Sequence, residues 1–190
     1  DVFLYEQQHP RREVAVKVLL AEGLTEAGRR QFAAEADLMA SLSAHPAIVT
    51  IYQADIAPDG RPYLVMEYYP GPNLRVRARS ETIPVSEVLR IGVQVCSAVE
   101  TAHRAGIVHR DIKPANILTS VYNKPGLTDF GISASTHDTH ADDLEGMSVP
   151  WSPPEAFDET VTLDVRSDIY ALGATLYTLL TGRSPFEVPG

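Results

Sequence analysis

A cluster of chain-breaking residues, Pro70-Gly71-Pro72, divides this sequence into two halves with different hydrophobic patterns. Before it, apolar residues occur in short runs that are typical of β-strands. After it, they recur every three or four positions over long stretches, which indicates amphipathic helices. The 190 residues suffice for two small lobes that share a cleft. We therefore expect a strand-rich and a helix-rich lobe with a ligand cleft between them.

The strand-rich half is predicted to contain one helix between two strand pairs. The helix runs from about Thr25 to about Leu42, and His45-Pro46 stops it because the residue before a proline avoids helical geometry. The predicted strands lie within residues 1–20, around a turn at residues 9–12, and at Val49–Ala54 and Pro62–Tyr68.

Two long helices are predicted in the second half. Pro84–His103 carries an amphipathic apolar stripe that includes Leu89, and Gly106 follows it as a predicted C-terminal cap. Residues 164–181 are apolar nearly all round, which predicts a buried helix. Residues 132–154 have no periodic pattern and are interpreted as an irregular loop.

Charge and cysteine content restrict the classes of partner. The net charge of −9 argues against nucleic acid or an anionic membrane, since both require a basic surface. The single cysteine, Cys96, excludes an internal disulfide and fits a reducing compartment. No apolar run approaches the roughly 18 residues of a membrane span. We expect a cytoplasmic location for these residues, with any membrane anchor elsewhere, and the oligomeric state stays open.

Two ionisable residues interrupt apolar segments of the first half. Lys17 lies within the predicted strand that contains Val16 and Val18, and Glu35 follows Phe32 by three on the predicted helix. Because an unpaired buried charge costs several kcal/mol, the two are expected to pair with each other. The alternative is that Lys17 reaches solvent along its aliphatic stem and Glu35 lies at the edge of the apolar stripe.

Two carboxylates and one amide accompany short strand-like pieces of the second half. Asp111 and Asn116 lie between residues 107–109 and 117–119, and Asp129 ends the piece at residues 127–128. Oxygen donors at strand ends suit Mg²⁺, a hard cation that is usually shared with phosphates. Taken singly, each motif is equally compatible with an exposed loop or a turn.

Together and in order, these segments resemble the eukaryotic-type Ser/Thr protein kinase catalytic domain, and in particular its bacterial members. The resemblance covers about residues 2–186 and implies a two-lobed α+β fold. Its motifs are Val14-Ala15-Val16-Lys17, Glu35, His109-Arg110-Asp111 with Asn116, Asp129-Phe130-Gly131 and Pro153-Pro154-Glu155.

The resemblance implies a role for each charged residue in transfer from ATP. Lys17 is expected to hold the α- and β-phosphates and Glu35 to hold Lys17. Asp111 is expected to accept the proton of the acceptor hydroxyl, and Lys113 to contact the γ-phosphate, which favours serine or threonine as acceptor. Asn116 and Asp129 are the expected Mg²⁺ ligands.

The same resemblance implies an adenine pocket. Val2 and Ala15 match its roof, Leu118 its floor and Met66 the gatekeeper at its back, while Glu67 and Tyr69 match hinge residues that offer backbone groups. For the apolar members, packing in the core is the alternative. Asp168 matches the aspartate that anchors the catalytic loop, Ser148 the residue beside the acceptor, and Ser133, Ser135, Thr136 and Thr139 are candidate phosphosites whose use stays open.

Departures from the family pattern qualify these expectations. The Gly-rich loop is absent apart from Val2, and the last helices of the large lobe are absent, so the 190 residues alone are expected to be weakly active or inactive. The expected divisions are an N-lobe at 1–66, a hinge at 67–73 and a C-lobe at 74–190. The implied function is transfer of the γ-phosphate of Mg-ATP to protein Ser/Thr hydroxyls. A non-catalytic scaffold and a small-molecule phosphotransferase of related fold are the alternatives.

Overall fold

The four strands of the first half form one antiparallel sheet. A computed structural model describes residues 1–19, 25–130, 149–158 and 160–187. Along the sheet the strand order is β1-β2-β4-β3. The strands are β1 (Val2–Gln8), β2 (Arg11–Val18), β3 (Ile51–Ile56) and β4 (Pro62–Glu67). Both predicted strand pairs are confirmed, and β4 joins them because it pairs with β2 as well as with β3.

Helix α1 (Glu26–Leu42) packs on this sheet. It begins after Thr25, whose side-chain oxygen accepts a hydrogen bond from the N–H of Gly28 and so caps the first turn. Phe32 and Ala36 are one helical turn apart and are its buried contacts with the sheet. Burial of this apolar face positions the helix beside β3.

The second half is built on three helices and a two-stranded sheet. The helices are α2 (Leu74–Ser80), α3 (Val85–Arg104) and α4 (Val165–Thr181), and the strands are β5 (Ile117–Thr119) and β6 (Pro125–Leu127). Within the described ranges, short 3₁₀ turns lie at Pro114–Asn116, Val149–Trp151 and Pro154–Phe157. Helix α2 is an element that the sequence patterns do not predict.

The main hydrophobic core joins α3 to the two-stranded sheet and to α4. Val95, Ala98 and Ala102 of α3 have no solvent exposure, and Leu127 of β6 packs in the same cluster. Leu172 of α4 closes it from the other side. This core supports the loop between α3 and β5, which carries Asp111, Lys113 and Asn116.

Two glycines allow the hinge to lie directly against the two-stranded sheet. The N–H of Gly71 donates to the carbonyl of Thr119 at 3.2 Å, and a Cβ at Gly71 would lie only 2.6 Å from that oxygen. A Cβ at Gly126 would lie 2.6 Å from the ring of Tyr69. Any side chain at either position would force the two halves apart, so glycine is required there by close approach.

The predicted α+β fold and the long helices are confirmed, with corrections in detail. Leu89, expected on the buried stripe of α3, is exposed. Helix α4 was expected to be buried all round, but Ile169 and Tyr177 are exposed and only one face joins the core. Most of the predicted loop at 132–154 lies outside the described residues. Within the described ranges no helix is long and apolar enough to cross a bilayer.

Candidate active site

A buried aspartate on α4 fixes the backbone of the loop between α3 and β5. Asp168 has no solvent exposure, and its carboxylate accepts the N–H groups of His109 and Arg110, each at 2.8 Å. His103 Nε2, at the end of α3, lies 2.7 Å from the same carboxylate. The anchoring role predicted for Asp168 is confirmed. Because hydrogen bonds to an ionised group are stronger than neutral ones, this loop is held firmly in one geometry.

The imidazole of His109 connects the loop held by Asp168 to Thr128, the residue that follows β6. Its Nδ1 accepts the N–H of Asp111 at 3.2 Å, so its Nε2 carries the proton and donates to the carbonyl of Thr128 at 2.9 Å. Complete burial lowers the pKa of His109 and keeps the ring neutral, in spite of the carboxylates around it. The ring also packs on Phe130, with centroids 4.5 Å apart.

Two residues of the site adopt backbone angles that favour glycine. Arg110 has φ of 69° and Asp129 has φ of 67°. Such positions cost of order 1–3 kcal/mol and persist only where the surroundings impose them. The hydrogen bond from the N–H of Arg110 to Asp168 is one such constraint. Of the four non-glycine residues with positive φ in the described ranges, these two lie in the candidate site, whereas Asn123 and Phe186 lie outside it.

The side chain of Asp111 is oriented by two donors from its own loop. Asn116 Nδ2 donates to the carbonyl and to Oδ2 of Asp111, both at 2.8 Å. Lys113 Nζ lies 2.8 Å from the same Oδ2. The structure therefore brings together three of the predicted site residues. It leaves Asp111 partly exposed, so that the carboxylate is positioned and still accessible.

The predicted pairing of Lys17 with Glu35 is not formed in this structure. Lys17 Nζ lies 2.7 Å from Oδ1 of Asp129, and these side chains are 27% and 32% exposed. Glu35 instead accepts a hydrogen bond from Gln31 Nε2, one helical turn earlier, at 3.1 Å. The reason is that the carboxylate of Asp129, which follows β6, lies within reach of Lys17, while Gln31 on the same helix donates to Glu35. The link from Lys17 to Asp129 joins the two halves of the molecule.

The residues predicted to form an adenine pocket lie mostly around one apolar cluster. Met66 belongs to the buried cluster between α1 and the sheet, and Ala15, Tyr69 and Leu118 pack against it from the sheet, the hinge and β5. Val2 is 62% exposed and does not belong to the cluster.

One predicted hinge contact is restricted by the sheet. The N–H of Glu67 donates to the carbonyl of Thr50 at 2.9 Å. Of the backbone polar groups of Glu67, only its carbonyl is therefore left for a ligand. Tyr69 carries a phenol whose pKa is raised to about 12, first by burial and then by the nearby Glu67 carboxylate, so it stays protonated.

The oxygen atoms of Asn116 and Asp129 fit a hard cation. The amide nitrogen of Asn116 donates to Asp111, which turns the amide oxygen toward other partners. Asp129 uses Oδ1 for Lys17 and for Thr128 Oγ1, and its second oxygen makes no contact with the described residues. An amide and a carboxylate oxygen suit Mg²⁺ that also takes phosphate ligands. In the described ranges no group of three or more His, Cys, Asp or Glu side chains could hold a metal alone.

His103 is a residue that sequence reasoning missed. It is the third partner of the Asp168 carboxylate and is mostly buried. The available signal was a histidine in the last turn of an amphipathic helix, which is too common to be decisive. Gly131, Ser148 and the candidate phosphosites Ser133, Ser135, Thr136 and Thr139 lie outside the described residues.

Comparisons with known proteins agree with this geometry. The profile of the family described as protein kinase domain matches residues 1–189. The serine/threonine-protein kinase PknK of Mycobacterium tuberculosis (strain ATCC 25618 / H37Rv) is 41% identical over 179 residues, which cover 93% of this chain and 16% of that protein. PknB of Mycobacterium leprae is 37% identical over 195 residues, which cover 98% of this chain and 31% of that protein.

A third relative is matched over the same shares of both chains as PknB of Mycobacterium leprae. PknB of Mycolicibacterium smegmatis is 39% identical over 196 residues, or 98% of this chain and 31% of that protein. The chain thus spans between about a sixth and a third of the length of these curated relatives.

Proposed function

Because the chain belongs to the protein kinase domain family, we propose that the protein transfers the γ-phosphate of ATP to serine or threonine hydroxyls of proteins. One observation carries the proposal furthest. Asp111, Asn116 and Lys113 form a connected set on an anchored loop, and Lys17 reaches from the sheet to Asp129 at its edge. The names of the relatives, both serine/threonine-protein kinases, support the choice of acceptor.

In this proposal the residues around the Met66 cluster receive the nucleotide. Ala15 and Leu118 contact the two faces of adenine, with Val2 extending the roof and Met66 closing the back. The carbonyl of Glu67 and the N–H of Tyr69 meet the adenine edge. Lys17 binds the α- and β-phosphates, and Glu35 then holds Lys17 in place of Asp129. The exchange is feasible because the link from Lys17 to Asp129 is partly exposed and weak.

Asn116 and Asp129 hold the magnesium ion. When bound, Mg²⁺ neutralises phosphate charge that develops during transfer. The chain's own contribution is to present two oxygen donors at a fixed place. Asn116 achieves this through its bonds to Asp111, and Asp129 through the strained backbone at the end of the strand.

Asp111 acts on the acceptor hydroxyl. Its carboxylate orients the hydroxyl and takes its proton as the new O–P bond forms and the bond to the β-phosphate oxygen breaks, leaving ADP. Lys113 stands beside Asp111 and neutralises the γ-phosphate as it moves. Because this loop is anchored before any ligand arrives, little reorganisation is needed at the moment of reaction.

The proposed divisions follow the same assignment. Residues 1–66 form the lobe that covers the nucleotide, 67–73 the hinge and 74–190 the lobe that carries the catalytic loop. Protein substrates with Ser or Thr acceptors are the proposed partners, and Ser148 is the residue proposed to line the acceptor's surroundings.

The test is phosphate transfer from radiolabelled Mg-ATP to a Ser/Thr protein substrate by the protein and by its Asp111→Asn variant. Loss of the general base should lower kcat by about 10²- to 10⁴-fold. The matched control is Asp37→Asn, an exposed Asp on α1, which should leave kcat unchanged. An Asp111→Asn variant that retains the full rate would contradict the assigned role. ATP binding without any transfer by the unaltered protein would favour the non-catalytic scaffold.

A further inference from the structure

A second cleft, of about 610 Å³, lies beside the hinge; Glu67 and Tyr69 of the hinge line it, but Lys17, Asp111 and Asp129 do not. We call it the hinge-side cleft. Its walls are the segment after α1 (43–46), the hinge (67–70) and the turn between β5 and β6 (120–124). The volume falls in the range of sites that bind small molecules or side chains.

The β5–β6 turn is a preformed wall of this cleft. Its ends are joined by the N–H of Ser120 to the carbonyl of Lys124 at 3.0 Å, and the Ser120 hydroxyl accepts the N–H groups of Tyr122 and Lys124, each at 3.2 Å. From α3, Arg90 donates to the carbonyl of Asn123 at 3.1 Å. The turn therefore holds its shape without a ligand, although Tyr122 at its tip is 81% exposed.

The opposite wall is also fixed, and it is uncharged. His45 accepts the N–H of Ala47 at 3.1 Å on Nδ1, and its Nε2 lies 3.0 Å from the Ser97 hydroxyl. Partial burial lowers the pKa of His45, which keeps the ring neutral at physiological pH. This wall adds shape but no positive charge.

Aromatic rings and carboxylates dominate the chemistry of the lining. Tyr68, Tyr69 and Tyr122 contribute the rings, and Glu13 and Glu67 the carboxylates. In the described part of the chain neither carboxylate forms a salt bridge. Lys124 is the one lysine or arginine of the lining. The lining therefore carries a net charge of −1, with its two carboxylates and one lysine beside three tyrosine rings.

Rings combined with carboxylates favour a flat cation. A guanidinium can stack on a tyrosine face and donate to a carboxylate at the same time, which an ammonium does less well. The stacking half of such a contact already occurs in this protein, because the guanidinium of Arg12 lies 3.5 Å from the ring centroid of Tyr52. We propose that the hinge-side cleft binds an arginine side chain presented by an extended segment of a partner protein.

Binding would be measured by NMR titration of the ¹⁵N-labelled chain with acetyl-Gly-Arg-Arg-Gly-amide. The comparison peptide carries citrulline in place of arginine and differs mainly in charge. The largest amide shifts are expected at 120–124 and 67–69. The citrulline peptide should bind at least about fivefold more weakly, since cation–π and carboxylate contacts of about 0.5–1 kcal/mol each are lost.

Variants of exposed residues test the lining directly. Glu13→Gln should weaken binding about two- to fivefold, and Lys124→Gln should strengthen it by a similar factor. The matched control is Glu100→Gln, which removes one negative charge from the exposed side of α3 and should leave the affinity unchanged. Preserved NMR spectra would show that each variant is folded.

Three results would overturn the proposal. Equal binding of the arginine and citrulline peptides would exclude recognition of a guanidinium. Equal losses in Glu13→Gln and Glu100→Gln would show attraction to net charge alone. Shifts centred on 111–116, with competition by Mg-ATP, would place the peptide in the candidate active site. None of these results would bear on whether the protein transfers phosphate, which the Asp111→Asn assay decides separately.

Discussion

The loop that carries Asp111 and the strand that carries Lys17 differ in how they are held. The loop is fixed by a carboxylate with no solvent exposure, which receives two backbone N–H groups and a histidine. Lys17 depends on one link to Asp129, in which both partners are about a third exposed. The structure thus combines a rigidly held loop with an adjustable contact, and under the proposed function the first serves the acceptor and the second the nucleotide.

This difference follows from where the two parts are built. The loop lies between α3 and β5, directly on the main core, and α4 delivers Asp168 from the same core. Lys17 lies on a sheet that packs on a much smaller cluster with α1. Because buried groups resist displacement and exposed ion pairs exchange readily with water, only the second contact can be replaced at low cost by a phosphate.

Asp168→Asn should have the largest effect of any single change on stability. It removes a fully buried charge from three donors, and we expect a loss of about 3 kcal/mol or more in the free energy of unfolding. A displaced loop should also lower the rate of phosphate transfer by more than about tenfold. Urea unfolding and a transfer assay measure the two effects.

Asp164→Asn is the matched control on the same helix. Asp164 caps the N-terminus of α4 by accepting the N–H of Arg166, and asparagine serves equally well as an N-cap. Its link to Arg166 is exposed to solvent, so the free energy of unfolding should change little. Equal losses in the two variants would mean that burial of the Asp168 carboxylate has no special importance.

Lys17→Met should separate stability from nucleotide use. The exposed link to Asp129 contributes about 0–1 kcal/mol, so unfolding should change little. Loss of a contact between a charged donor and phosphate, worth about 1.5–3 kcal/mol, should lower kcat/KM for ATP by about 10- to 100-fold. A Lys17→Met variant that unfolds as readily as Asp168→Asn would contradict the contrast between rigid and adjustable parts.

The anchored part was also the more predictable from sequence. Asp168 stands out because an acidic residue in an apolar helix must find donors, and the family resemblance identifies the loop that supplies them. The strand pairs and long helices follow from periodicity, since burial of one face imposes the pattern. Helix α2 has only two buried residues, Leu74 and Ala78, which leave too weak a signal.

The partner that Lys17 has in this structure was not predicted, for a physical reason. Lys17 and Glu35 are each recognisable as charges among apolar residues, and pairing them is the simplest solution. Sequence does not show that Asp129 lies within 2.7 Å of Lys17, because that distance depends on how the two halves meet. Where several carboxylates compete for one exposed lysine, differences of about 1 kcal/mol decide, and patterns do not resolve them.

The anchored loop should make the protein sensitive to acid. Burial lowers the pKa of His109 below its ordinary value of about 6.5, so the unfolded chain binds a proton that the folded chain does not. The contribution of the neutral His109 ring to the free energy of unfolding is complete above about pH 6.5. It is lost as the pH falls from there toward the folded-state pKa. The slope for this one proton should approach about 1.4 kcal/mol per pH unit.

Urea unfolding between pH 5 and pH 8 checks this expectation. In His109→Gln the slope between pH 5 and pH 6.5 should be smaller by about one proton, even though the variant is less stable throughout. His45, whose pKa is also lowered by burial, should contribute in the same direction and accounts for part of any remaining slope. An unchanged slope in His109→Gln would show that the neutral ring is not what the fold requires.

Glu35→Gln is expected to have the smallest effect, and it tests whether the adjustable contact really changes partner. In the present arrangement Glu35 accepts from Gln31 on the surface of α1, so its loss should cost about 0.5 kcal/mol or less in stability. If Glu35 holds Lys17 once ATP is bound, kcat/KM for ATP should nevertheless fall about three- to tenfold. That loss should vanish in a Lys17→Met background, because the two residues would act through one contact. Additive losses in the double variant would mean that Lys17 keeps Asp129 as its partner during turnover, and that both parts of the site are rigid after all.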